Sequence, residues 1–249
     1  MWRRAAVRTV GCMTNASRTA LITGASRGLG LALARTLAAE GWALVLDART
    51  ASDLAVVAEE LAGRTTVVAI AGDVADESHR LDLAGAARSL GGLDLLVHNA
   101  SALGPSPQPL LADYPLDAFE RVYAVNVSAP LRLTQLALPL LRPGGRVLAI
   151  TSDAAVEPYP GWGGYGSSKA ALEALFAVLA VEHPGVRVYR VDPGDMNTRM
   201  HEEAEPGADL SGLPGPEVSA PAFLRLVEDE TIPSGRFEAQ ALALALASA

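Results

Sequence analysis

Thr23-Gly24-Ala25-Ser26-Arg27-Gly28-Leu29-Gly30 stands between two different periodicities. Before it, Ala20-Leu21-Ile22 is a short apolar run of the kind that makes a buried parallel strand. After it, residues 29–40 are rich in Ala and Leu at helical spacing. The glycines at 24, 28 and 30 therefore fall in a strand-to-helix turn. Lacking side chains, they let a phosphate-bearing ligand approach the backbone and the N–H groups at the helix start. The helix dipole adds about 0.3 to 1 kcal/mol for an anion placed there. Such a turn also serves plain βα packing, so the rest of the chain has to decide between the two uses.

Working outward, short apolar strands are expected at 43–47, 65–70, 93–97, 145–151 and 186–191, alternating with helices at 51–61 and 77–90. A longer helix is expected at 116–141, bent at Pro130 and Pro139. Further helices are expected from Tyr165 to His183 and over 217–229, with a short strand at 235–239. The alternation predicts an α/β fold: a doubly wound, mainly parallel Rossmann-type sheet with helices on both faces. Right-handed crossovers then bring the strand ends and the glycine turn to one edge. Residues 19–249 read as a single domain. Residues 1–18, basic through Arg3, Arg4, Arg8 and Arg18, are too broken in hydropathy for a signal peptide and read as a disordered extension, with Met13 as an alternative start.

Bulk composition narrows the function. Half the 249 residues are hydrophobic, enough for a full core. The net charge, 20 − 28 = −8, argues against general affinity for nucleic acid or anionic membrane. A single cysteine, Cys12, excludes an intramolecular disulfide. His79, His98, His183 and His201 lack metal-ligand spacing, so no metal is expected. No apolar run approaches the roughly 20 residues needed to span a bilayer. A cytoplasmic protein is the expectation.

Tyr165 and Lys169 are four apart on a predicted helix and share one face. A phenol near pKa 10 is ionised to only about one part in a thousand at pH 7, and a nearby ammonium can lower that pKa by roughly 1 to 3 units. The pair therefore suits general acid/base work near neutrality. Ser152, at a predicted strand end, can hydrogen-bond the same substrate oxygen; it equally suits a turn cap.

With these residues in view, the sequence closely resembles the short-chain dehydrogenase/reductase family. The matches are Thr23-Gly24-x-x-x-Gly28-x-Gly30, Asp73-Val74, Asn99-Ala100, Asn126, Ser152, Tyr165-x-x-x-Lys169 and Pro193-Gly194 with Thr198. Gly161-Trp162-x-x-Tyr165 further resembles the sepiapterin reductase and benzil reductase-like group within the family. The resemblance implies a catalytic tetrad of Asn126, Ser152, Tyr165 and Lys169. Tyr165 would move the proton and Ser152 would polarise the carbonyl. Lys169 would hold the ribose and lower the tyrosine pKa, and Asn126 would anchor a relay water. Gly24, Ser26, Arg27, Gly28, Leu29 and Gly30 would cradle a cofactor, helped by Asp73, Val74, Asn99 and Ala100, and by Pro193, Gly194 and Thr198. One departure is His98-Asn99-Ala100-Ser101, where the family usually ends this motif in glycine; Ser101 would narrow the space near the ribose. His98 reads as a packing residue.

Relatives that prefer NAD place an acidic residue about 18 positions beyond the last glycine; here Ala48 stands there, followed by Arg49. With Arg27 this suits the 2′-phosphate of NADP(H), and Asp47 is the contrary signal. The expected activity is NADP(H)-dependent interconversion of a small-molecule carbonyl and an alcohol. The alternatives are a non-redox epimerase or dehydratase on the same scaffold and a non-catalytic nucleotide-binding regulator. Asp153, Trp162, Met196 and Met200 are the candidate substrate contacts. The polar stretch 195–216 reads as a mobile lid, and the apolar helix after Tyr165 as part of a homodimer or homotetramer interface.

Overall fold

A computed structural model describes residues 7–9 and 17–247. The strands are β1 (Val7–Thr9), β2 (Thr19–Ile22), β3 (Ala43–Ala48), β4 (Val67–Ala71), β5 (Leu93–His98), β6 (Leu141–Ile150), β7 (Arg187–Asp192) and β8 (Gly235–Glu238). The helices are α1 (Gly28–Ala39), α2 (Ala51–Ala62), α3 (Glu77–Ser89), α4 (Leu116–Tyr123), α5 (Ala129–Ala137), α6 (Gly163–Glu182), α7 (Arg199–Ala204), α8 (Ala220–Glu228) and α9 (Ala239–Ala247). The strands form one sheet in the order β1-β4-β3-β2-β5-β6-β7-β8, parallel except for β1.

Strands this short are buried on both faces, so their sequences run apolar without alternation, as in Ala43-Leu44-Val45-Leu46. Successive side chains still go to opposite layers. Ile22 and Leu46 pack with Leu33 and Leu37 of α1 and with Phe223 of α8. Leu21 and Val45 pack with Leu83 of α3, Leu133 of α5 and Phe176 of α6. Strand order reverses between β2 and β5, and the turns leaving these two strands, at Thr23 and Asn99, open the crevice that such reversals create.

Three expectations need correcting. The helix expected over 116–141 is three pieces: α4, a π-helical turn over Ala124–Ser128, and α5, ending in a 3-10 turn at Leu138–Leu140. The wide turn sits at Asn126, whose side-chain amide bonds to the Ala102 carbonyl and to Ser168 Oγ. The following strand already starts at Leu141. Within the stretch taken as a disordered extension, Val7–Thr9 pairs antiparallel with Val67–Ala69, satisfying backbone groups that β4 would otherwise leave bare as an edge. Arg18 lies 4.4 Å above the Trp42 ring and pairs with Glu228 at 2.7 Å. The rest of 1–18 lies outside the described residues. Finally, α9 follows β8 where no helix was expected. The stretch 195–216 carries a short helix, α7, capped by the Thr198 hydroxyl. No helix among the described residues is long and apolar enough to cross a membrane.

Candidate active site

The carboxyl ends of β2, β3, β5, β6 and β7 surround a cleft of about 840 Å³. At one end lies the glycine turn. Gly24 and Gly28 take positive φ of 68° and 55°, a region that favours residues without Cβ. A Cβ on Gly24 would sit 2.9 Å from Ala100 Cα, and one on Gly30 would sit 2.3 Å from the Gly24 carbonyl oxygen. Gly30 thus packs beneath the turn and does not line the cleft, whereas Gly24, Ser26, Arg27, Gly28 and Leu29 do. Asn99 staples the turn from β5: its Nδ2 donates to the carbonyls of Thr23 (2.9 Å) and Gly24 (3.0 Å). The Thr23 hydroxyl accepts from the N–H groups of Asn99 and Ala100.

Arg49, Asp73 and Val74 line the same end. Burial works against the Asp73 charge, but the Ala75 N–H, Arg121 and Arg49 outweigh it and hold the carboxyl below its usual range. Arg27 and Arg49 are exposed, and neither guanidinium makes a hydrogen bond or close ion pair among the described residues. No side chain caps the start of α1, and its first turn carries no acid. Bare helix N–H groups, a turn open for backbone approach and two unengaged guanidiniums fit a phosphorylated dinucleotide. Among the described residues, no group of three or more His, Cys, Asp or Glu is placed to hold a metal ion.

At the other end, Ser152 follows β6 while Tyr165 and Lys169 project from the first turns of α6, and all three line the cleft. Ser152 Oγ donates to Asp153 Oδ1 (2.8 Å) and accepts from the Ala154 N–H (3.2 Å). Tyr159 OH donates to Asp153 Oδ2 (3.0 Å). Burial opposes the Asp153 charge, but these bonds prevail and keep the carboxyl below its usual range. Trp162 stands between two rings, meeting Tyr159 and Tyr165 edge-on at 6.2 and 5.8 Å.

Tyr165 is 7 % exposed and Lys169 2 %. Burial pushes the Tyr165 phenol well above its ordinary pKa; the Ser101 and Ser152 hydroxyls offset part of this, and the Asp192 and Asp153 carboxylates add to it. Burial lowers Lys169 to about 8, against the pull of Asp192. Lys169 Nζ donates to the Ile150 carbonyl at 2.8 Å and lies 5.4 Å from the Tyr165 ring centroid. Desolvation is the largest influence on the phenol, and Lys169 is not among the groups that set its pKa.

Asn126 reaches the site indirectly. Its Nδ2 donates to the Ala102 carbonyl and to Ser168 Oγ, both at 2.9 Å. Its Oδ1 accepts from the Ala102 N–H at 2.8 Å and from Ser101 Oγ at 3.2 Å. The amide is saturated by protein groups and does not line the cleft. His98 packs as expected: buried, 2.8 Å from Thr134 Oγ1, edge-on to Phe176, and lowered by burial to about 3.

Pro193, Gly194, Met196, Thr198 and Met200 line the cleft from above. Gly194, at φ 75°, leaves room for Gln240 of α9, whose Nε2 donates to the Asp195 carbonyl (3.0 Å). The sequence reading missed Gln240, the Ser101 bridge from Asn126 towards Tyr165, Tyr159, and the Asp47–His79 contact. Only the Ser101 departure from glycine carried a signal for any of these.

The model of the short chain dehydrogenase family matches residues 18–209. Rat sepiapterin reductase is 38 % identical over 199 residues, covering 74 % of this chain and 76 % of the relative. A benzil reductase ((S)-benzoin forming) of Saccharomyces cerevisiae is 34 % identical over 214 residues, 82 % of this chain and 79 % of the relative. Among solved structures, a short chain dehydrogenase of Shigella flexneri complexed with NADP aligns with a TM-score of 0.84 at 30 % identity, covering 90 % of this chain and 97 % of the other.

Proposed function

The chain belongs to the short chain dehydrogenase family, and from that premise we propose that it is an NADP(H)-dependent oxidoreductase interconverting a carbonyl and an alcohol. The observation that carries the reading is the convergence of Ser152, Tyr165 and Lys169 on a cleft whose far end is an open glycine turn flanked by Arg27 and Arg49. NADP(H) would supply or accept the hydride. The glycine turn and the α1 N-terminus would hold its pyrophosphate, Arg27 and Arg49 the 2′-phosphate, and Asp73 and Val74 the adenine side. Asn99, Ala100, Lys169, Pro193, Gly194 and Thr198 would line the nicotinamide side.

In the reductive direction, Tyr165 gives its phenolic proton to the carbonyl oxygen; burial keeps the phenol protonated but also weakens it as an acid, so the transfer needs a cation beside the phenolate that forms. The Ser152 hydroxyl turns from Asp153 to the same oxygen and polarises it. The Lys169 ammonium, below its pKa of about 8, stabilises the phenolate left behind. Asn126 positions this group by holding Ala102 to Ser168 of α6. Trp162, Asp153, Met196 and Met200 would meet the substrate, and 195–216, whose Thr198 methyl passes over Gly28, would close on it. Ala170, Ala174, Val178 and Val181 leave an exposed apolar stripe on α6 that supports a homodimer or homotetramer.

Purified protein with NADPH and a panel of aldehydes and diketones tests the reading. Sepiapterin and benzil, for which two relatives are named, are the first two to try. Loss of the reduced-nicotinamide absorbance with alcohol formed in equal amount is the expected result; no consumption with any carbonyl contradicts it.

A further inference from the structure

Asp47 is the next-to-last residue of β3, two residues before Arg49, and as a free carboxylate it would repel a 2′-phosphate. It is not free. It is 1 % exposed, and its Oδ1 lies 2.5 Å from Nε2 of His79, itself fully buried in the first turn of α3. Its Oδ2 accepts the Gly24 N–H at 3.3 Å, and its backbone carbonyl accepts the Ala25 N–H at 2.7 Å. Asp47 therefore grips the glycine turn with both main chain and side chain, and His79 grips Asp47.

The space for His79 is specific. A Cβ on Gly72 would fall 2.3 Å from His79 Nδ1, so the glycine before Asp73 is what admits the ring. Nδ1 has no partner among the described residues, an orphaned polar atom accepted for the sake of the Nε2 contact. The other charges at this corner are Asp73, tied to Arg121, and Arg49. Burial raises the Asp47 carboxyl above its usual range, with Asp73 adding to it, and the bonds from His79 and the Gly24 N–H offset only part of this.

We propose that His79 is a specificity-determining positioning residue: it ties the Asp47 carboxylate, which lines the cleft, to the glycine turn and to its own ring, so that Arg49 meets a 2′-phosphate without a free competing anion. The inference rests on the NADP(H) reading. Removing His79 leaves a carboxylate at the ribose corner, which repels the extra phosphate of NADPH and can accept the ribose hydroxyls of NADH.

Dissociation constants for NADPH and NADH, from tryptophan fluorescence or calorimetry, test it without reference to turnover. The wild type should prefer NADPH. His79→Leu should lower the NADPH:NADH affinity ratio by about tenfold or more, with most of the loss on NADPH. His79→Gln, whose amide N–H can still reach Asp47, should keep most of the ratio. The double variant Asp47→Asn/His79→Leu should regain it. Equal weakening of both nucleotides in His79→Leu, or no recovery in the double variant, reduces His79 to a packing residue and overturns the inference. Equal affinity in the wild type overturns the NADP(H) reading itself. Should His79→Leu fail to fold, Asp47→Asn alone still decides: a retained or raised NADPH preference supports the inference, and a lost preference overturns it.

Discussion

The glycine-turn end of the cleft is held largely through main-chain groups, whereas the Tyr165 end is held by side chains on each other. At the first, Asn99, Asp47 and Thr23 meet backbone atoms of the turn, and close approach is secured by what is absent at Gly24, Gly28 and Gly30. At the second, Ser152, Asp153, Tyr159 and Trp162 touch one another across a loop, and Ser101 links to Asn126. Charge is mixed at both: Arg27 and Arg49 stand with Asp47 and Asp73 at one end, and Lys169 and Arg199 with Asp153, Asp192, Asp195, Glu205 and Asp209 at the other. A main-chain site tolerates almost any side chain that stays out of the way. A side-chain site changes with each substitution, which lets one scaffold serve different substrates.

The sharpest break should come at the side-chain end. Tyr165→Phe deletes the proposed proton donor and should lower turnover by about 10²- to 10⁴-fold while leaving the dissociation constant for NADPH nearly unchanged. A variant retaining most of its turnover would detach Tyr165 from the chemistry. At the main-chain end, Gly24→Ala puts a Cβ 2.9 Å from Ala100 Cα in a left-handed conformation. A strain of about 1 to 3 kcal/mol should weaken nucleotide binding by ten- to a hundredfold and lower Tm, with the proton-transfer residues intact. Unchanged binding would mean that the turn is not the nucleotide cradle.

Smaller still is Arg49→Ala. It should cost NADPH about tenfold in affinity, in keeping with a charge-assisted contact, and leave NADH unaffected. Equal losses for the two nucleotides would contradict its assignment to the 2′-phosphate.

The mildest effect is a pH limb. Lys169, lowered to about 8 by burial, loses its charge as pH rises through that value. kcat/KM for carbonyl reduction should then fall by half near pH 8, and Lys169→Arg should abolish the limb. The same shift acts oppositely on stability. Between about 8 and the ordinary lysine value of 10.5 the unfolded chain binds the extra proton, so this group makes the fold more stable as pH rises through that window. A rate that holds flat to pH 10 would contradict the buried ammonium.

At both ends the sequence alone revealed part of the site and left part of it hidden. Gly24, Gly28, Gly30, Asn99, Ser152, Tyr165 and Lys169 each stand at the end of a strand or the start of a helix, where local pattern marks the boundary, and motif spacing then fixes their place along the strand-end edge. The Asp47–His79 contact joins residues 32 apart, and Ser101 meets Asn126 across 25. No local periodicity encodes such meetings; they exist only once β3 and α3, or β5 and the π turn, are packed. The same blindness made one helix of 116–141. Its propensities are helical throughout, and the bonds of Asn126 to Ala102 and Ser168 lie outside any local window.

The central claim is that hydride passes between NADP(H) and a carbonyl carbon in this cleft. NADPH deuterated at the transferable C4 position, incubated with the protein and a carbonyl that it consumes, tests it most directly. The account predicts one deuterium on the carbinol carbon of the product, read by mass spectrometry, for each nucleotide oxidised. Conversion of substrate with the nucleotide still reduced and no deuterium in the product would contradict it.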